Sequence, residues 1–138
     1  TMPFKCYAAE WIDAQELATE MNKLGLEGVI FRPVAYKPYY GANKGKNVQG
    51  VQVHITDFKK IELLYLQFRF MEVHHKLYPE YDLFKMGKNR WKMFDKVCGT
   101  DEIRLTFSKN YKFDDIKPLF ERDVKTFREM SKKYYLYK

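Results

Sequence analysis

No stretch of the 138-residue chain is apolar for long enough to cross a membrane, and its first residues lack a charged-then-apolar signal pattern. Cysteine is nearly absent. Cys6 and Cys98 have neither metal-site spacing nor the density of a disulfide scaffold, so both read as small buried residues. Histidine is scarce as well: His54, His74 and His75. A helical zinc site needs two histidines one turn apart, whereas adjacent ones point about 100° apart. No metal is expected, and His74 and His75 are placed on a partly exposed helix edge. The chain has no GxSxG segment, no glycine-rich phosphate motif and no evident base beside Cys98, so neither a nucleophile nor a cofactor is expected. The most informative absence is local: no Asp or Glu lies between Gly28 and Thr56.

That acid-free stretch carries Arg32, Lys37, Lys44 and Lys46, whereas Thr1 to Glu27 has five acids against two bases. Positive charge is therefore placed, within a net charge of +7 that invites an anionic partner. Val29, Phe31, Val34 and Tyr36, with a change of phase expected at Pro33, and then Val51, Val53 and Ile55, alternate as half-buried strands do. Alternation sends Gln52 and His54 to the face opposite the valines. Gly41, Gly45 and Gly50 give the intervening segment the freedom to approach a ligand closely.

Length and composition predict one folded domain spanning 1–138, with eleven Tyr and eleven Phe available to a core. A first residue other than Met suggests a start inside a longer product. Met2 to Trp11 reads as an extended arm that needs a pairing partner. Asp13 and Glu16 have capping-box spacing for a helix carrying Leu17, Met21 and Leu24 and stopped at Gly25. Asp57 is expected to cap a long helix to about Leu77, apolar round most of its circumference and hence buried between layers. Residues 80–90 read as loop, Trp91 to Val97 as a short helix ended by Gly99, and Thr100 as the start of another. Asp114 or Asp115 should cap a last helix with the stripe Ile116, Leu119, Phe120, Val124, Phe127 and Met130. The tail Tyr134 to Tyr137 is expected to return to the core. The fold class is thus α+β: a small sheet centred on strands at about 29–36 and 50–56, packed on a helix at about 58–77, with shorter flanking helices.

Glycoside hydrolysis needs two carboxyl groups facing a cleft. The strand pair has none, and Asp57 and Asp101 stand where helix caps are expected, with Asp95 and Glu102 beyond. No carboxylate pair stands out, so no catalytic residue is assigned. Tyr36, Tyr39 and Tyr40 with Lys37 could stack on and neutralise a single nucleic-acid strand, but no recognised binding motif accompanies them.

The succession PF…WIDAQELATEMN at Pro3 to Asn22, LGLEGVIFRPVAYKP at Leu24 to Pro38, GVQVHITD at Gly50 to Asp57, FDKVCGTDEIR at Phe94 to Arg104 and the closing YYLY resembles the C-terminal domain of the NamZ-type exo-β-N-acetylmuramidases. The resemblance implies an exported, periplasmic or extracellular setting. It also implies a catalytic Rossmann-like N-terminal domain, absent from this chain, which removes non-reducing-end N-acetylmuramic acid from peptidoglycan fragments. This chain would then be an auxiliary domain, inactive alone, that completes the cleft. Its partners would be a muramyl glycan and the N-terminal domain, with no nucleic acid. The lactyl carboxylate of the sugar suits Arg32, with Lys37 or Lys44 nearby; Gln52 and His54 suit its hydroxyl or acetamido groups, and Tyr36 its ring face. The alternative expectation is a non-catalytic binding module for an anionic polymer, either cell-wall glycan or single-stranded nucleic acid.

Overall fold

The computed structural model describes residues 5–41 and 43–137. The chain divides into two compact units, Thr1–Leu83 and Phe84–Lys138. The first contains strand β1 (Cys6–Ala9), helix α1 (Ala14–Lys23), strands β2 (Val29–Tyr36) and β3 (Val48–Ile55), and helix α2 (Leu63–Leu77). The strands form one antiparallel sheet in the order β1-β3-β2, so Cys6–Ala9 of the expected arm pairs with β3, while Met2 to Phe4 lie outside the described residues. The mixed α+β class stands. The second strand begins at Val48 and ends at Ile55, two residues earlier than expected at its start.

Alternation decides the two faces of the sheet. Val29, Phe31, Val51 and Val53 are buried and form the covered face, with Leu17 and Met21 of α1 fully buried beside them. Tyr7 of β1 stacks on Phe70 of α2 with centroids 4.2 Å apart, tying the long helix to the edge of the sheet. The pairing of β2 with β3 runs without interruption from Val29↔Ile55 to Tyr36↔Val48. The expected change of phase at Pro33 therefore does not occur. Proline is tolerated because β2 is an edge strand, where a missing N–H costs no ladder bond on the open side.

Gly50 marks the closest approach of backbones in the sheet. A Cβ there would collide with the Tyr7 carbonyl oxygen and come within 2.6 Å of the Ala8 Cα. Only glycine fits opposite β1. Asn22 secures the other edge: its Nδ2 donates to the Phe31 carbonyl at 2.8 Å, and the Phe31 N–H donates to its Oδ1 at 2.9 Å. An open strand edge is thereby satisfied by a helix side chain.

The start of α1 follows the sequence closely, with one addition. Asp13 accepts from the Glu16 N–H at 2.8 Å, as a cap should. The reciprocal bond, however, passes through Tyr78. The Asp13 N–H donates to the Tyr78 hydroxyl at 3.0 Å, and that hydroxyl donates to Glu16 Oε2 at 3.1 Å. Asp57 does not cap α2. Its carboxylate accepts from the Lys59 N–H at 2.8 Å in a local turn, and the helix begins at Leu63 instead of near 58. Aspartate side chains readily make such turns in competition with a helix start. Leu63 and Leu64 are consequently exposed, while Leu66, Phe68, Phe70, Met71 and Val73 supply the expected buried helix.

The second unit is helical. Residues assigned above to loop contain α3 (Leu83–Met86) and a 3-10 turn at Lys88–Arg90, because Phe84 is buried and the Trp91 Nε1 donates to its carbonyl at 2.9 Å. Helix α4 (Trp91–Cys98) stops at Gly99, and α5 (Glu102–Asn110) follows with the Glu102 N–H bonded to Thr100 Oγ1, both as expected. The single last helix is instead two, α6 (Phe113–Glu121) and α7 (Val124–Ser131), broken at Arg122 and Asp123. Lys112, not Asp114 or Asp115, occupies the N-cap position of α6. The break separates buried Ile116 from exposed Phe127 and Met130, and the tail Tyr134 to Tyr137 is exposed instead of returning to the core.

Candidate functional site

The face of the sheet opposite Val51 and Val53, exposed at Arg32 and Tyr36 but buried at Val48, gathers much of what the sequence singled out. Register sets Arg32 directly opposite Gln52, and Gln52 opposite Cys6 on its other side. Cross-strand partners share a face, so Cys6, Gln52 and Arg32 form one row across all three strands. Ile30 pairs with His54 in the neighbouring row, and Tyr36 lies on the same face four residues beyond Arg32. The uninterrupted pairing through Pro33 is what brings Tyr36 to this side.

Three properties of the face bear on chemistry. First, none of the strand residues of β1, β2 or β3 is acidic, so the sheet itself offers no proton donor–acceptor pair for acid–base work. Second, His54 Nε2 donates to Gln52 Oε1 at 3.0 Å, which fixes both side chains side by side. Third, Arg32 is exposed and forms no ion pair with any described residue. A guanidinium in that state, on a rigid strand, is a ready bidentate receptor for a carboxylate.

The remaining cations divide. Lys46 is neutralised by Glu10, with Nζ and Oε1 2.7 Å apart. Lys37 and Lys44 lie in the connection between β2 and β3, outside the paired strands, and neither forms an ion pair among the described residues. Lys44 holds its ammonium 6.0 Å from the centroid of the Tyr39 ring. Among the described residues no hydrogen bond or ion pair joins Lys37 or Lys44 to Arg32, and both lie outside its strand. Tyr39 and Tyr40 beside them are almost fully exposed.

Cys6 and Cys98 are free thiols of intermediate exposure, not the buried residues the sequence suggested. Burial pushes the Cys6 thiol up, and burial followed by the Asp95 charge pushes up Cys98. Both are poor nucleophiles at neutral pH. Tyr36 is likewise raised, first by burial and then by the charge of Cys6. Cys6 was missed as a member of the face, since its position depends on a strand register that only pairing with β3 fixes.

His74 was placed on an exposed edge but is buried, at 1 % exposure. The Trp11 Nε1 donates to its Nε2 at 3.0 Å, and Trp11 stacks on Tyr81 with centroids 4.4 Å apart. Burial, and then neighbouring His75, depress His74 to about 4, against a smaller upward pull from Glu80. In the second unit Asp95 binds Arg104 through both oxygens at 2.7 and 2.8 Å, and the guanidinium lies 4.8 Å from the Trp91 centroid. Arg104 holds the Asp95 carboxyl below the usual range. This carboxylate is structural. Among the described residues no three His, Cys, Asp or Glu side chains cluster to hold a metal ion, and no helix is long and apolar enough to cross a membrane.

Comparison with known proteins fits these observations. The chain is 30% identical over 138 residues to the peptidoglycan beta-N-acetylmuramidase NamZ of Bacillus subtilis (strain 168), covering 99% of this chain and 32% of that protein. It superimposes with a TM-score of 0.97, at 46% identity, on a crystal structure of a DUF1343 family protein from Bacteroides fragilis NCTC 9343, covering 100% of this chain and 36% of that one. The chain thus spans about a third of the length of these relatives. The family described as "Exo-beta-N-acetylmuramidase NamZ, C-terminal" matches residues 1–137, and the chain belongs to that family of muramidase C-terminal domains.

Proposed function

We propose that this chain is the auxiliary domain of an exported exo-β-N-acetylmuramidase, completing the cleft in which a separate N-terminal domain hydrolyses non-reducing-end N-acetylmuramic acid from peptidoglycan fragments. One observation carries this reading beyond family membership: Arg32 forms no ion pair with any described residue, on a sheet face whose strands contain no acid. N-acetylmuramic acid differs from the other cell-wall amino sugar by a lactyl carboxylate. An unpaired guanidinium recognises that group in two parallel hydrogen bonds. Gln52 and His54, already oriented by their mutual bond, would meet hydroxyl or acetamido groups, and Tyr36 would lie against the sugar ring. Lys37 and Lys44 would add a positive field that draws in the anionic glycan. The domain supplies binding and exclusion of water, and no catalytic group.

Arg32→Ala in the intact gene product tests this. A charge-assisted contact contributes about 1.5–3 kcal/mol, so kcat/KM on a β-N-acetylmuramide should fall roughly ten- to a hundredfold. Arg32→Lys should recover only part of the loss, because an ammonium cannot reproduce the planar fork. Unchanged turnover by a folded Arg32→Ala protein would reduce the domain to a structural support. Retention of single-stranded nucleic acid, weakening steeply with salt, would favour the anionic-polymer module instead.

A further inference from the structure

The C-terminal segment of the second unit exposes an apolar surface that a solitary domain does not need. Between Val124 and Tyr137 every large apolar side chain is exposed: Phe127 at 62 %, Met130 at 54 %, Leu136 at 89 % and Tyr137 at 88 %, among others. The surface is concave where α6 meets α7. A groove of about 510 Å³ lies between Leu119, Phe120, Val124, Phe127 and Tyr135, with Asp123 and Arg128 at its rim. Contiguous apolar patches of this kind mark places that another surface covers.

We infer that α7 and the aromatic tail are the docking surface for an apolar segment of the N-terminal portion that lies outside this chain. The inference rests on the reading of the chain as one part of a two-domain enzyme. Two observations select this occupant. About two thirds of each relative lies outside the matched region, so a large covalent neighbour exists in those proteins. The chain also matches one of them with a TM-score of 0.97 over 100% of its length. A second copy of the chain suits it less well. Residues 124–138 contain Lys125, Arg128, Lys132, Lys133 and Lys138 against the single acid Glu129, and a two-fold pairing would set that excess of positive charge against itself. An apolar covering segment bearing acids would complement it.

Hydrogen exchange at backbone amides 124–137 tests the assignment, with the 138-residue chain compared against the intact gene product. Burial of the surface predicts that exchange slows at least tenfold in the intact protein, while amides of the sheet change little. Phe127→Asp with Leu136→Asp should leave the circular dichroism and melting of the isolated chain unchanged, because both side chains are exposed there. In the intact protein the same pair should restore fast exchange. Equal exchange in the two proteins overturns the inference. So does self-association of the isolated chain that the paired substitution abolishes, and so does binding to anionic lipid vesicles, lost in the variant, without protection in the intact protein. Hydrolytic activity is a separate readout: protection without activity leaves this surface standing and removes the catalytic reading, and activity without protection does the reverse.

Discussion

Arg32 and His74 show how differently two polar side chains are used. Arg32 forms no ion pair with any described residue, and in the proposed function its charge serves a ligand carboxylate. His74 is committed inward, as acceptor for Trp11, and must stay neutral to play that part. Its pH dependence has a definite sign. The unfolded chain takes up a proton near 6.5, whereas the folded imidazole waits until about 4. The contribution of His74 to stability is therefore complete above pH 6.5 and is lost as pH falls from 6.5 to about 4. His74→Phe should flatten the fall in urea midpoint over this window, although orphaning the Trp11 N–H lowers stability by about 1–3 kcal/mol above pH 6.5, where the wild-type bond is intact. Identical pH slopes for the two proteins would contradict the assignment. Residue types were legible in the sequence here, but their burial was not. Adjacent histidines on a helix give no sign of which one meets a tryptophan 63 positions away.

Elements were legible where local chemistry and tertiary packing agree. The cap at Asp13, the stop at Gly99 and the alternation around Val51 and Val53 each follow from residue chemistry, and each appears in the fold. They failed where a local turn or a broken stripe intervened. Asp57 closes a turn on Lys59 instead of starting α2, and the stripe from Ile116 to Met130 is cut at Arg122 and Asp123. The register of the sheet lies wholly beyond sequence patterning, and it is what assembles the candidate site. Gly50 is its most sensitive point. Gly50→Ala would force β1 away from β3, since backbone and not a yielding side chain occupies the space. The loss should be about 1–3 kcal/mol or more, read from chemical denaturation. A wild-type midpoint for the alanine variant would show that the strands part at no cost.

For the whole molecule, the two units divide the proposed labour. Thr1–Leu83 carries the acid-free sheet with Arg32, and Phe84–Lys138 carries the aromatic surface assigned to docking. Among the described residues no catalytic carboxylate pair is assigned, and Asp95 of the second unit is held by Arg104. The motifs of the chain are enough to mark its family, whereas the aromatic run Tyr134 to Tyr137 has the composition of a core segment and is exposed, because composition alone does not tell a buried aromatic from a surface one. The most direct measurement compares release of a chromogenic aglycone from a β-N-acetylmuramide by the 138-residue chain and by the intact gene product. Turnover by the intact product alone is the predicted result, and it would justify the Arg32 series. Turnover by the isolated chain would contradict the account, and would return the catalytic question to Asp57, Asp95, Asp101 and Glu102.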